Sequence, residues 1–307
     1  MPRIGWHVLG AMMLGLCALS ALMHAAGLRI DPWRTSNLPY AAAALVALAL
    51  RLGLPRTRWR HAGPLAHFSE YAALFTAMSL MGAIASYPVA ALTRGYADQS
   101  LQAIDGALGF DWLGWYRIVA DHRALQLLGT TAYRSIYLTP ALLLWSFARA
   151  GDQARAYRFL AGFWLAAALT LILFSLMPAV GPFSYLWHGA IPYMPESEQW
   201  QSGLIPALRD HAVTVVDIGQ LRGIVSAPSF HTAAAVLYIA AAWRLRALRW
   251  PILALNMGML LSTPVEGTHY LIDMILGVAV ALAALALVNG YARLVGPALT
   301  SGHRSVP

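Results

Sequence analysis

Lysine is absent from this 307-residue chain, cysteine occurs once, and charged residues make up 11% where a soluble globule carries about a quarter. Each shortage excludes something. With 59% hydrophobic residues and a mean hydropathy of +0.58, so little charge rules out an ordinary soluble domain and points to a chain that crosses the membrane several times. The lone Cys17 lies inside an apolar run, which excludes an intrachain disulfide and a cysteine-rich metal site. The formal net charge of +8 is carried wholly by arginines scattered between apolar stretches. They form no basic stripe with interleaved aromatics, so nucleic acid is not the expected partner.

A helix needs about 20 apolar residues to span the hydrocarbon, and candidates lie near 6–26, 38–54, 65–92, 126–148, 157–177, 227–247, 250–265 and 268–290. Arginine placement orients them. Arg51, Arg56, Arg58 and Arg60, then Arg149, Arg155 and Arg158, then Arg244, Arg246 and Arg249 mark cytoplasmic connections. The 93–125 and 178–225 connections carry more acid than base and face outward. Eight spans put both termini inside. Spans six and eight then begin at the outer face. Arg3, the apolar stretch after it and the small residues Ala25 and Ala26 also fit a signal peptide. Its removal would leave the rest of the topology unchanged. The expected architecture is all-α, a polytopic membrane helix bundle with a six-helix core over 65–290 and two helices before it, in one membrane domain of residues 1–307.

The two outward connections differ. "LQAIDGALGFDWLGWYRIVADH", residues 101–122, sets Asp105, Asp111 and Arg117 against Trp112, Trp115 and Tyr116, as a helix lying in the headgroup layer would. It reads either as a lipid entrance or as an interfacial anchor without contact to substrate. The 178–225 connection, about 48 residues long, opens with Pro178 and Pro182. A loop of that length in a compact domain is a functional lid or carries short helices of its own.

Polar residues intrude at two helix mouths. In "EGTHYLIDMILG", residues 266–277, His269 and Asp273 stand at i and i+4, the spacing of one helix face. The carboxylate can fix one imidazole nitrogen and leave the other as a nucleophile toward phosphorus. In "VSAPSFH", residues 225–231, Ser226 reads as a helix cap with Pro228 in the first turn. The unpaired N–H groups of such a start, with the Ser229 hydroxyl, form an anion site beside His231. A protonated His231 could hand its proton to a departing alcohol. Read separately, each histidine is equally an interhelical or interfacial polar contact.

Pro228-Ser229-x-His231, followed 38 residues after His231 by His269-x-x-x-Asp273 and then Gly277, resembles the second and third motifs of the type 2 phosphatidic acid phosphatase superfamily. That resemblance covers roughly residues 98–290. It implies His269 as nucleophile, Asp273 as its orienting acid, His231 as proton donor and an all-helical core of six spans. "AIDGALGFDW" and "TAYRSIYLTP" resemble stretches of the bacterial inositol phosphorylceramide synthase-like branch. The chain also departs from the usual pattern. Ser262 and Thr263 stand where the third motif has Ser-Arg, and a first motif built on lysine cannot exist here.

A phosphoryl transition state needs positive charge on its oxygens, and Arg222 and Arg134 are the candidate phosphate-binding residues, with Arg209 a third. His188, His211 and Glu266 read as loop residues near the site, and Glu70 as reaching the cytoplasmic interface. No cofactor or metal is expected. The implied activity is a metal-independent phosphatase acting on a phospholipid or polyprenyl phosphate at the outer leaflet. Transfer to a second alcohol acceptor is the alternative. A reading from another class is a haem protein ligated by His231 and His269. Lipid bilayer and lipid substrate are the expected partners.

Overall fold

The computed structural model describes residues 3–295 apart from 202 and 222. Helices dominate: α1 (Arg3–Ala25), α2 (Leu38–Gly53), α3 (Ala62–Leu92), α4 (Asp98–Ala107), α5 (Trp112–Asp121), α6 (Arg123–Arg134), α7 (Leu138–Arg149) and α8 (Gln153–Leu176). After them come the short α9 (Pro182–Leu186), α10 (Glu198–Gln201) and α11 (Leu204–Arg209), then α12 (Phe230–Ala242), α13 (Arg249–Glu266) and α14 (Leu271–Val295). The expected all-α bundle is what the chain forms. β1 (Arg29–Ile30) and β2 (Val215–Val216) pair in parallel and tie the α1–α2 connection to the long loop before α12.

By length and composition, α1, the stretch around α2, α3, α8 and α14 can each cross a membrane. Span four differs from expectation. It is two helices, α6 and α7, separated at 135–137, and Pro140 explains the break. Proline fits the first turn of α7, where its missing N–H has no acceptor to lose, but would disrupt a helix running through it. Span six is also shorter than expected. Its 13 residues rise about 20 Å, against a hydrocarbon thickness near 30 Å.

That short helix is the centre of the bundle, packed against α7, α8, α13 and α14. Its alanines at 233, 234 and 235 are buried, and small side chains let helix backbones approach. Gly277 on α14 shows how close the approach is. A methyl group there would come within 2.4 Å of the Ser229 carbonyl oxygen and 3.0 Å of Thr232 Cβ. Behind this contact Met78, Leu143, Phe147, Leu160, Phe163 and Tyr238 form the main apolar cluster.

The two ends of the bundle differ chemically. Near the starts of α3 and α8, Glu70 accepts from Arg51 Nε at 2.5 Å and from the Tyr157 hydroxyl. At the other end, the starts of α12 and α14 and the end of α13 lie with α4, α5 and the long loop that carries α9–α11. That loop is the helix-bearing kind. Both sequence motifs lie at this end.

Candidate active site

Ser229 is the N-cap of α12, its Oγ accepting from Thr232 N at 3.3 Å and Thr232 Oγ1 at 3.1 Å. The expected cap was Ser226, with Pro228 inside the first turn. Instead Pro228 precedes the cap, so its missing N–H falls outside the helix. Ser229 is 0% exposed, and both contacts use its oxygen as acceptor. Its hydroxyl hydrogen is the part left for an anion. The cap also puts the first two N–H groups of the helix, those of Phe230 and His231, at its open end, where no intrahelical acceptor exists. His231 Nδ1 lies 3.1 Å from the Tyr133 hydroxyl, and the two rings stack at 4.0 Å between centroids.

The second motif is built differently from its sequence spacing. His269 lies outside α14, in the turn that joins it to α13, so it and Asp273 do not share a helix face. Thr268 takes a φ of 49°, a left-handed conformation that interrupts the helix after Gly267. The i, i+4 spacing survives because the turn folds back: His269 N donates to the Pro264 carbonyl at 3.1 Å. His269 Nδ1 and Asp273 Oδ2 are 3.6 Å apart, at 3% and 0% side-chain exposure. That is an ion-pair separation, too long for a hydrogen bond. Among the described residues, neither His269 Nδ1 nor Asp273 Oδ1 has a hydrogen-bond partner. Asp273 Oδ2 accepts from Tyr270 N at 3.0 Å, the reach of an N3 carboxylate to the cap residue. The Asp273 carbonyl accepts from Ser229 N at 3.0 Å and joins the two motifs directly.

His269 and the Tyr133–His231 pair meet around one small region. A methyl group built on Gly267 would lie 2.7 Å from His269 Cδ2 and 3.0 Å from the Tyr133 hydroxyl oxygen. Around this region the long loop contributes acid. Glu198 is buried and accepts from Ser184 Oγ at 3.1 Å and Thr268 Oγ1 at 3.3 Å. Burial pushes its carboxyl up, against the pull of those two hydroxyls. Glu266, read from sequence as a loop residue, ends α13 and is buried, accepting from the Tyr193 hydroxyl at 2.7 Å and Glu196 N at 3.2 Å.

The arginine candidates separate. Arg134 donates through Nε and Nη2 to Glu196 at 3.1 and 2.8 Å, with its side chain 61% exposed. That carboxylate holds its guanidinium fork. Arg209 donates to Thr93 Oγ1 and the Gly95 carbonyl and lies over Tyr96, at the end of α3. Arg222 lies outside the described residues. His188 and His211 are exposed.

The interfacial segment is also corrected. It is two helices, and Trp112 and Tyr116 are buried where headgroup contact was expected. Trp112 Nε1 donates to the Pro264 carbonyl at 2.7 Å, and the Tyr116 hydroxyl to the Tyr193 carbonyl at 2.6 Å. Buried aromatics with a polar tip need such acceptors, and here the acceptors belong to the segments that frame the site. The aromatic content was legible, but not its inward direction. Tyr133 was visible in "TAYRSIYLTP" without a role, while Thr268 and Glu198 had no signal.

The family model described as PAP2 superfamily matches residues 99–287. The chain belongs to the PAP2 superfamily. No curated protein and no solved structure matches it significantly. The PAP2 match begins within α4 and ends within α14, so it takes in both histidine motifs. Membership supports a phosphatase-type enzyme of lipid phosphates, and the apolar helices support a multi-pass membrane protein.

Proposed function

We propose that this PAP2 protein hydrolyses a lipid-borne phosphate ester at the outer leaflet through a phosphohistidine, without a metal. The observation that carries the reading is the pair of imidazoles brought from separate elements to one end of the bundle, each with its Nδ1 beside a polar partner. With Asp273 beside His269 Nδ1, the lone pair on Nε2 is the nucleophile. It attacks phosphorus, a P–N bond forms, and the bond to the leaving oxygen breaks. His231 Nε2 gives that oxygen its proton. The Tyr133 oxygen accepts from Nδ1–H of His231 before and after the transfer, so only Nε2 cycles. Asp273 stabilises the positive imidazole of the intermediate. Water then attacks phosphorus, His231 Nε2 takes its proton, and the P–N electrons return to His269. The open N-terminal end of α12 supplies the positive field on the phosphoryl oxygens.

The same machinery transfers the phosphoryl group to a second alcohol in place of water. The missing lysine and Ser-Arg cations and the two stretches common to the inositol phosphorylceramide synthase-like branch favour this second reading. One experiment separates the outcomes. Purified protein is given phosphatidic acid and polyprenyl phosphates labelled at phosphorus, with and without inositol, and the label is followed. Hydrolysis predicts free phosphate; transfer predicts a labelled alcohol product. Wild-type activity in His269→Ala would reject the mechanism, and a Soret band in the purified protein would replace it with haem.

A further inference from the structure

Helix α14 begins badly by its own sequence. Its N-cap residue is Tyr270, which has no short side-chain oxygen to accept from the first N–H groups, as serine, threonine, aspartate or asparagine would. The missing acceptor comes from another element. Asp105 on α4 accepts from Leu271 N at 2.7 Å and Ile272 N at 2.9 Å, one carboxylate oxygen for each. Two helical turns earlier on α4, Asp98 Oδ1 accepts from the Tyr270 hydroxyl at 3.0 Å and Gly181 N at 2.9 Å, and its Oδ2 from Val180 N at 3.0 Å. Both carboxylates are withdrawn from solvent, at 0% and 1% exposure. Burial pushes the Asp105 carboxyl up, and the two backbone N–H groups oppose this. Carboxylates buried this deeply persist because donors surround them.

What the two acids hold is the turn that carries His269. Asp105 fixes the residues after it, and Asp98 fixes Tyr270 and the segment at Gly181. Gly181, at φ 92°, packs so closely on the turn that a methyl there would sit 2.8 Å from the Thr268 carbonyl oxygen. His269 is outside any helix, so no ladder of its own sets its direction. We infer that Asp105 and Asp98 are positioning residues: α4 clamps the Thr268–Ile272 turn from both sides and thereby sets the His269–Asp273 geometry. This rests on the reading of His269 as the reacting group. Neither acid reaches the imidazole.

The test compares Asp105→Asn with wild type on labelled phosphatidic acid in mixed micelles. A second arm uses the polyprenyl phosphate that wild type turns over, should it spare phosphatidic acid. The asparagine keeps the shape but sets an NH2 against one of the two N–H groups. A mispositioned nucleophile lowers kcat and spares binding, and displacements of about 1 Å cost up to about 100-fold. The expected result is a fall in kcat of about 10- to 100-fold with KM within about twofold, in protein that still melts cooperatively in detergent at a temperature lowered by the lost N–H acceptor. Wild-type kcat in folded Asp105→Asn, beside an inactive His269→Ala, overturns the inference and leaves the mechanism standing. An active His269→Ala overturns the mechanism instead. Should Asp105→Asn fail to fold, Tyr270→Phe decides. It removes only the hydroxyl that donates to Asp98, and the inference requires a kcat loss with KM unchanged there too.

Discussion

Helix α2 buries none of its 16 largely apolar residues, whereas at the mouth of the bundle Asp98, Asp105, Ser229, Thr268 and Asp273 are all withdrawn from the surface. A soluble protein sorts the other way. In a bilayer the surroundings are as apolar as leucine, so hydrophobicity does not drive side chains inward. A buried carboxylate, by contrast, is costly unless donors hold it. Exposed apolar surface such as that of α2 therefore fits a membrane-crossing helix, and buried polarity marks what the mouth of the bundle is organised around. The largest expected effect tests that directly. His269→Ala should reduce turnover to background with melting in detergent preserved. His231→Ala should cost about 10²- to 10⁴-fold, the usual worth of a proton-transfer group.

The second effect concerns the closeness of the helices that carry the two motifs. A methyl on Gly277 would overlap the Ser229 carbonyl, and backbone there cannot rotate away as a side chain could. Gly277→Ala should destabilise by about 1–3 kcal/mol through overpacking. It should also loosen the Ser229 N–H bond to the Asp273 carbonyl, so activity and melting temperature should fall together. That joint fall distinguishes it from His269→Ala, where only activity falls. A melting temperature equal to wild type would mean that α12 and α14 cross less tightly than these distances require.

Much of this was legible in the sequence, and the reasons for the rest are local. Five of the eight expected spans could be read because long apolar helices advertise themselves in composition. His269, Asp273 and His231 could be singled out as candidates because their spacing is short and unusual in an apolar context. The placement of His269 in a turn was hidden, since an i, i+4 pair has one spelling whether the chain between is helix or a turn bent at Thr268. Asp105 was misread for a similar reason. Periodicity shows that α4 has two faces but not which one the bundle covers. Ser226 and Ser229 flank Pro228 on either side, and nothing in their chemistry alone chose the cap. The partner of Arg134 was also hidden, since it meets Glu196, 62 residues on.

A smaller effect lies within the site itself. His269 has a carboxylate beside Nδ1, while the half-buried His231 has the buried Tyr133 phenol. Tyr133→Phe keeps the stacked ring and removes one hydrogen bond, worth about 0.5–1.5 kcal/mol. kcat should fall about 3- to 10-fold with KM unchanged. A loss as large as that of His231→Ala would promote the phenol from partner to proton donor.

The smallest effect is expected where the sequence is most hydrophobic. Leu45 and Val46 on α2 are 67% and 57% exposed, and α2 meets chiefly α3 and the short connections around it. Leu45→Ala and Val46→Ala each remove apolar surface that is mostly uncovered by protein, so no enclosed cavity opens. Their effect should stay within about 0.5 kcal/mol, as for surface positions generally. Ser229→Ala removes fewer atoms than either but deletes the cap of α12, worth about 1 kcal/mol. Melting curves of the three variants in one detergent compare them directly. If the two α2 variants lost more than the serine variant, α2 would be a packed element of the bundle, and the inverse relation between hydrophobicity and structural weight would fail.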